Sequence, residues 1–397
     1  MSTVKRISPF GEIATFVSGN RPQGGVGQIK KGALSLGGEH VGVDGKLALT
    51  TPKFVPLDYY NANPKGHINA GDILLCKDGA LSGKVALERG ELSGLRSMVN
   101  EHVFIIRTDK LDQKYLFYYL FSPVGQSLLK GIVTGAAQGG INGKNLKSIP
   151  VVFPDSISKQ CLIVDEMDLL TGILDKKNQQ LRHLDALAQS IFYEMFGDPV
   201  TNDKGWKSSS IGEIASVKIG PFGSLLHKED YISGGTPLVN PIHMKELKIV
   251  PDNDFTISDS KKQELNSYLL HSGDIVVARR GDIGRCALVE KGQDGYLCGT
   301  GSLFIRPQNE VLPEFLVRLL STKEIVKTLT NEAKGVTMLN INCDIINKLK
   351  IIIPDICTQK GFAERIAAIE SQKQLIWQSI ADSRTLLSSR MDYYFND

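Results

Sequence analysis

The chain is written twice, and no other feature limits its fold as strongly. Gly11-Glu12-Ile13-Ala14 returns as Gly212-Glu213-Ile214-Ala215, 201 residues later. Gly71-Asp72-Ile73 returns as Gly273-Asp274-Ile275, Gly79 as Gly281, Ala86-Leu87 as Ala287-Leu288, Phe104-Ile105 as Phe304-Ile305, and Pro154-Asp155 as Pro354-Asp355. A solenoid repeats every 20 to 50 residues or so, whereas these matches keep their order at an offset of roughly 200. Such a period means two tandem copies of a whole domain. The 397 residues, 42% of them apolar, suffice for two sizeable cores.

Each copy changes texture at its Pro-Asp. Before it come short strands and turns; after it comes a long helical pattern. In the first copy Ile163, Met167, Leu170, Leu174, Leu181, Leu184, Ala188, Ile191 and Met195 step by fours and threes, with Lys177 in the one polar slot. In the second, Phe362, Ile366, Ile369, Ile376, Ile380, Leu387 and Tyr394 keep the seam, interrupted by Lys373, Ser383 and Arg390. A 3.5-residue stripe over about five heptads predicts a coiled-coil seam, and a helix of roughly 38 residues is about 57 Å long. Gly197-Asp198-Pro199 stops the first helix. The expected organisation is a globular domain over 1–155, a helix over 156–198, a second domain over 199–355 and a second helix over 356–397.

Within each domain the reading is α+β. Gly71 to Cys76 and Gly273 to Ala278 are strands opened by a Gly-Asp turn. Each runs to a basic, glycine-bearing tip, Lys77-Asp78-Gly79 with Gly83-Lys84, or Arg279-Arg280-Gly281-Asp282 with Gly284-Arg285. Val85-Ala86-Leu87 and Ala287-Leu288-Val289 return. Helices are expected over 115–129 and 314–329.

Several chemistries lack their residues. The six cysteines are never closer than twelve apart, which rules out a CxxC metal knuckle and fits a reduced cytoplasm. No apolar run of about 18 residues is present to span a bilayer. Gly-Lys occurs only before Leu47, Val85 and Asn145, so no P-loop exists. No Pro-Pro dipeptide offers the loop that an adenine methyltransferase closes on its extruded base. Glu246-Leu247-Lys248 and Glu332-Ala333-Lys334 supply half of a nuclease motif without a suitable upstream Pro-Asp, and read as solvated charge. The net charge of +3 is weak evidence for a nucleic-acid partner, although residues 1–155 hold 18 basic against 12 acidic residues, so local clusters must carry that case.

The tips are the first place to look for DNA contacts, because glycine lets the backbone come close and Lys or Arg meets phosphate or a guanine edge. They offer Arg279, Arg280 and Arg285, with Lys77 and Lys84 as counterparts. A further candidate is the loop before the last strand of each domain, with Gln138, Asn142 and Lys144 in one copy and Thr337, Asn340 and Asn342 in the other. Asn142 and Asn342 occupy matching positions. Each either pairs with adenine N6/N7 or stabilises a turn.

Residues 188–206, Ala-Gln-Ser-Ile-Phe-Tyr-Glu-Met-Phe-Gly-Asp-Pro-Val-Thr-Asn-Asp-Lys-Gly-Trp, resemble the central region of type I restriction-modification specificity subunits. The Gly-Glu-Ile-Ala openings, the Gly-Asp-Ile hairpins and the Pro-Asp before each long helix are similar to that family too. The resemblance spans essentially the whole chain. It implies a non-catalytic cytoplasmic adaptor with two target recognition domains, held apart by two antiparallel helices about an approximate twofold axis. Each domain would read half of an asymmetric bipartite site in double-stranded DNA. Two methyltransferase subunits, and in complete systems two restriction subunits, would bring S-adenosylmethionine, ATP and Mg²⁺; this chain would hold no cofactor and no metal. The loop after the first strand faces DNA in the family, which adds Arg21 and Gln23 in one copy and Phe222 and Ser224 in the other. The rival readings are a self-contained nuclease and a purely structural dimerisation protein.

Overall fold

The computed structural model describes residues 5–23, 25–26, 29–135, 139–333 and 340–396. The chain divides into two compact units, Met1–Gln179 with Ile376–Asp397, and Gln180–Leu375. Each unit thus takes one copy of the repeat and a portion of both long helices.

In the first unit a four-stranded antiparallel sheet runs in the order Thr15–Ser18, Val103–Arg107, Ile73–Cys76, Val85–Leu87. The run Ile-Leu-Leu-Cys is apolar throughout because both faces of its strand are covered. Ile73 and Leu75 face one core with Val85 and Leu87. Leu74 and Cys76 face another with Leu36 and Val99. A smaller sheet joins Phe54–Val55, Ala33–Leu36 and Ser97–Val99. Lys5–Pro9 pairs antiparallel with Pro150–Pro154, bringing the two ends of the repeat together.

The second unit repeats this frame. Its first four strands are Ala215–Ile219, Ser302–Pro307, Ile275–Ala278 and Cys286–Leu288, in the same spatial order. A hairpin of Met244–Lys245 and Leu247–Ile249 extends the sheet, adding a parallel pairing to Cys286–Leu288. In the first unit that edge receives a loop instead, where the Leu87 amide donates to the Gly45 carbonyl at 3.1 Å.

Strand pairing corrects one of the sequence matches. Leu75 faces Phe104 across the sheet and Val277 faces Leu303, so Phe104 corresponds to Leu303 and Arg107 to Arg306. The shared Phe-Ile is therefore a one-residue slip, which turns the two phenylalanines to opposite faces. Phe104 lies in the helix-side core, and Phe304 lies with Val239 and Val276 on the other side.

The single helices expected over 115–129 and 314–329 are each two. In the first unit Gln113–Phe121 is followed by Pro123–Gly131. Ser122, at ψ 160°, takes the extended conformation that a following proline favours and caps the second helix from its hydroxyl. In the second unit Pro313–Leu320 and Lys323–Glu332 break at Thr322, extended at ψ 145°.

The long helices span Ile157–Phe196 and Ile356–Phe395. In the first unit Glu166 meets Arg390 and Lys177 meets Ser383, so rising numbers on one helix meet falling numbers on the other and the portions are antiparallel. The second unit gives the same sense, with Asp185 on Lys373 and Phe196 on Phe362. The polar interruptions of the seam are partnered. Lys177 donates to the Ser379 carbonyl and the Ser383 hydroxyl, each at 3.0 Å. Lys373, 4% exposed, lies 2.7 Å from Asp185 and 3.5 Å from Glu370.

The seam departs from expectation at the C-terminal end of each helix. Phe192 and Phe196 are buried rather than Ile191 and Met195, and Met391 and Phe395 rather than Tyr394. A step of four, Ala188, Phe192, Phe196, replaces the heptad because this end enters a domain core. Phe196 packs edge-on against Phe315 and Phe362, and Phe395 against Tyr115 and Tyr119.

Each helix is also clamped at its start. The Gln160 amide donates to the Pro154 carbonyl while its oxygen accepts from the Asp112 amide, both at 2.8 Å. Gln359 does the same with Pro354 and Leu312.

Candidate nucleic-acid interface

In each unit the central hairpin turns at one end of the sheet and carries the basic tip. The register is Leu75 to Val85 in one unit and Val277 to Cys286 in the other. Gly79 and Gly281 turn the tips with φ of 77° and 76°, left-handed values that a side chain resists.

Three loops meet at this end. The turn before Val103–Arg107 takes the tip backbone, with the Lys77 amide on the His102 carbonyl at 2.9 Å; in the second unit the Arg279 amide meets the Gly301 carbonyl at 3.1 Å. The same turn carries the first loop. A Cβ on Gly19 would lie 1.7 Å from the Val99 carbonyl, and one on Gly220 2.1 Å from that of Gly299, so only glycine passes there. The loop before the last strand is bridged to the tip as well, Asp78 to Gly140 and Arg280 to Asn340.

The side chains at these matching places differ. In the first unit Arg21 lies 3.4 Å from Glu101, Glu101 3.3 Å from His102, and His102 3.2 Å from Asp78. That chain ties the first loop to the tip through polar side chains. The Lys77 ammonium lies 4.0 Å from Asp78 and 5.1 Å from the centre of the Phe104 ring. Gln23 is exposed, Lys84 is half-buried in the return of the hairpin, and Lys144 is exposed in the short helix Gly143–Ser148.

In the second unit Phe222 is 59% exposed, with Ser224 exposed beside it in the first loop. Arg280 is exposed. Arg285 is tied to Asp282 and donates to the Pro241 carbonyl at 3.1 Å. Arg279 was expected as a tip residue, yet it is 5% exposed and donates from Nε to Asn340 Oδ1 at 3.2 Å. Burial, and after it the neighbouring Arg280 charge, push its pKa below the usual guanidinium value.

Asn142 and Asn342 both cap helices, accepting from the amides of Asn145 at 2.8 Å and Ile345 at 2.9 Å. Of the two roles open to them, the turn-stabilising one occupies Oδ1 in each. Gln138 and Thr337 lie outside the described residues.

Sequence reasoning missed the groups that brace the opposite end of the same strands. Arg107 forks onto Asp72 with both contacts at 2.6 Å, and Arg306 onto Asp274 with both at 2.7 Å. The repeated Gly-Asp-Ile was visible, but the slipped Phe-Ile alignment hid the matching arginines. Glu101 and His102 went unnoticed because their structural counterparts, Thr300 and Gly301, share nothing with them. The Glu246-Leu247-Lys248 stretch is the turn of the edge hairpin, and Lys248 lies 3.0 Å from Glu370 of the second long helix. Among the described residues no three His, Cys, Asp or Glu side chains are placed to hold a metal ion, and no helix is long and apolar enough to cross a membrane.

The type I restriction modification DNA specificity domain matches twice, over residues 19–183 and 203–381, so that each copy of the repeat is matched separately. The chain belongs to the type I restriction-modification specificity family. The MjaVIII specificity subunit of Methanocaldococcus jannaschii is 25% identical over 77% of this chain and 73% of its own length. The putative MjaX specificity subunit of the same organism is 24% identical over 82% and 78%. Among solved structures, the S subunit of the M. genitalium type I system superposes over 100% of this chain and 97% of its own, with a TM-score of 0.54 at 12% identity. A chain from work on assembly and conformational transition of the type I R-M system covers 100% and 99%, with a TM-score of 0.57 at 16% identity. At such identities the likeness concerns the fold. As a member of this family the chain carries two DNA specificity domains, each ending in a long helix.

Proposed function

We propose that this specificity subunit reads an asymmetric bipartite site in double-stranded DNA and delivers it to methyltransferase, and where present restriction, subunits that perform the chemistry. The observation that carries this reading is the pairing of one frame with two loop chemistries. Both units use the same strand order, the same Asp-Arg fork and the same bridge from tip to loop. At the loop positions, however, Asp78, Glu101, His102 and Gly140 stand where the second unit has Arg280, Thr300, Gly301 and Asn340. Conserved backbone with divergent edges suits two readers of different bases, and disfavours a palindrome.

The long helices support the docking half of the proposal. Their seam is filled, yet Leu162, Leu169, Leu375 and Trp377 remain 68%, 64%, 72% and 44% exposed. Apolar groups of that size left outside a coiled coil are available to partner subunits. S-adenosylmethionine, ATP and Mg²⁺ are assigned to those partners.

The test is incubation of the purified chain with duplex DNA, S-adenosylmethionine, Mg²⁺ and ATP, with and without cognate methyltransferase subunits. Modification is expected only when the partners are present. Turnover by the chain alone that disappears in Glu246→Gln or Glu332→Gln would overturn the adaptor assignment in favour of a self-contained nuclease.

A further inference from the structure

Arg279 is the anomalous cation of the second unit. Three other arginines of the unit meet a carboxylate: Arg306 lies on Asp274, Arg318 on Glu370, and Arg285 on Asp282. Arg279 is 5% exposed, and among the described residues no carboxylate lies within ion-pair distance of it. Among the described residues its side chain makes one hydrogen bond, from Nε to the neutral amide of Asn340. Residues 334–339, next in the chain to Asn340, contain no Asp or Glu. Arg280 adds a like charge beside it.

Such a placement disfavours the free protein, because a charge held away from water costs free energy unless it is paired. The hydrogen bond to Asn340 does not account for it, since a neutral donor would serve that carbonyl equally well. Lys77, at the same place in the first unit, is compensated by Asp78 and the Phe104 ring. The Arg279 backbone is pinned on both sides, its amide to the Gly301 carbonyl at 3.1 Å and its carbonyl to the Ile341 amide at 2.9 Å. With Nε held as well, the guanidinium is a planar fork of fixed orientation whose two terminal nitrogens have no acceptor among the described residues.

Resting on the DNA-reading function above, we propose that Arg279 is a specificity-determining residue of the second unit, a preformed fork completed by a pair of acceptors on DNA. Two sources carry that chemistry, the N7/O6 edge of guanine and two oxygens of one phosphate. Asn340 is the positioning residue that sets the plane of the fork.

Arg279→Met and Arg279→Lys, each in the full chain with its methyltransferase subunits, test this. Methylated sites are mapped by sequencing, and the salt dependence of DNA binding is measured. If the acceptor is guanine, both variants lose about tenfold or more of the discrimination at one base pair of the half-site read by the second unit. If it is phosphate, Arg279→Met weakens binding to all sequences and lowers the salt slope by about 1, while Arg279→Lys keeps the slope. In either case the other half-site is read as before, which controls for folding. The free Arg279→Met chain should unfold at the same temperature as the wild type or a higher one, since a largely buried charge with no carboxylate partner among the described residues has been removed. An unchanged motif with an unchanged salt slope would overturn the proposal, as would a lowered unfolding temperature in Arg279→Met with the motif intact. A wild-type complex without sequence preference would instead defeat the DNA-reading function itself.

Discussion

Asp274 has a side chain 1% exposed, and Arg306 meets it with two parallel contacts at 2.7 Å. Removing the acid leaves a guanidinium without its partner at the end of the sheet opposite the tip. Asp274→Asn should cost on the order of 2 kcal/mol, below the usual figure for a broken buried pair because the arginine is 39% exposed and reaches water. Urea unfolding of the full chain measures it; a midpoint equal to that of the wild type would show that the fork contributes nothing. At this scale the sequence was only partly legible. Composition marked Arg279 and Asn142 as loop residues, but not that a bridge to Asn340, 61 residues away, encloses the arginine, nor that a helix cap engages the asparagine. Burial of a polar residue is set by contacts distant in sequence, which local pattern does not carry.

At the scale of elements, the apolar period located both long helices and the Gly-Asp-Ile motif located both hairpins. Long, regular patterns survive because every turn repeats the same requirement. Phase failed at the C-terminal end of each helix, where Phe196 and Phe395 enter a domain core. The antiparallel pairing also has an electrostatic part. The Arg390 guanidinium, 2.5 Å from Glu166, holds that carboxyl below its ordinary value of 4.5, helped by the Tyr394 hydroxyl and opposed by partial burial. A depressed acid stabilises the fold fully above its unfolded pKa, and the contribution fades as pH falls from about 4.5 through the folded value. Glu166→Gln should therefore lower stability by roughly 1 kcal/mol at pH 7, the scale of a half-exposed pair. Unfolding of both proteins across pH 7 to 3 should show the difference shrinking in acid. A difference that stays constant would exclude the ion pair as its cause.

For the whole molecule, duplication was the most legible feature, since it needs only ordered matches. One of those matches, Phe104-Ile105 with Phe304-Ile305, was out of register and still pointed to the right architecture. Function at this scale follows from likeness of frame joined to unlikeness of edges. On the proposed function, two copies that share their strands, forks and clamped helices but differ at the tip, a chain of opposite charges in one and a cationic tip in the other, would meet two different sequences. The most direct test is to co-express the chain with its cognate methyltransferase subunits and sequence every methylated adenine. The account predicts one asymmetric motif, two unlike half-sites of about 3 to 4 bp each, centred roughly one helical turn apart with about 6 to 7 unspecified pairs between them. Methylation without sequence preference, or at a single uninterrupted or palindromic site, would contradict it.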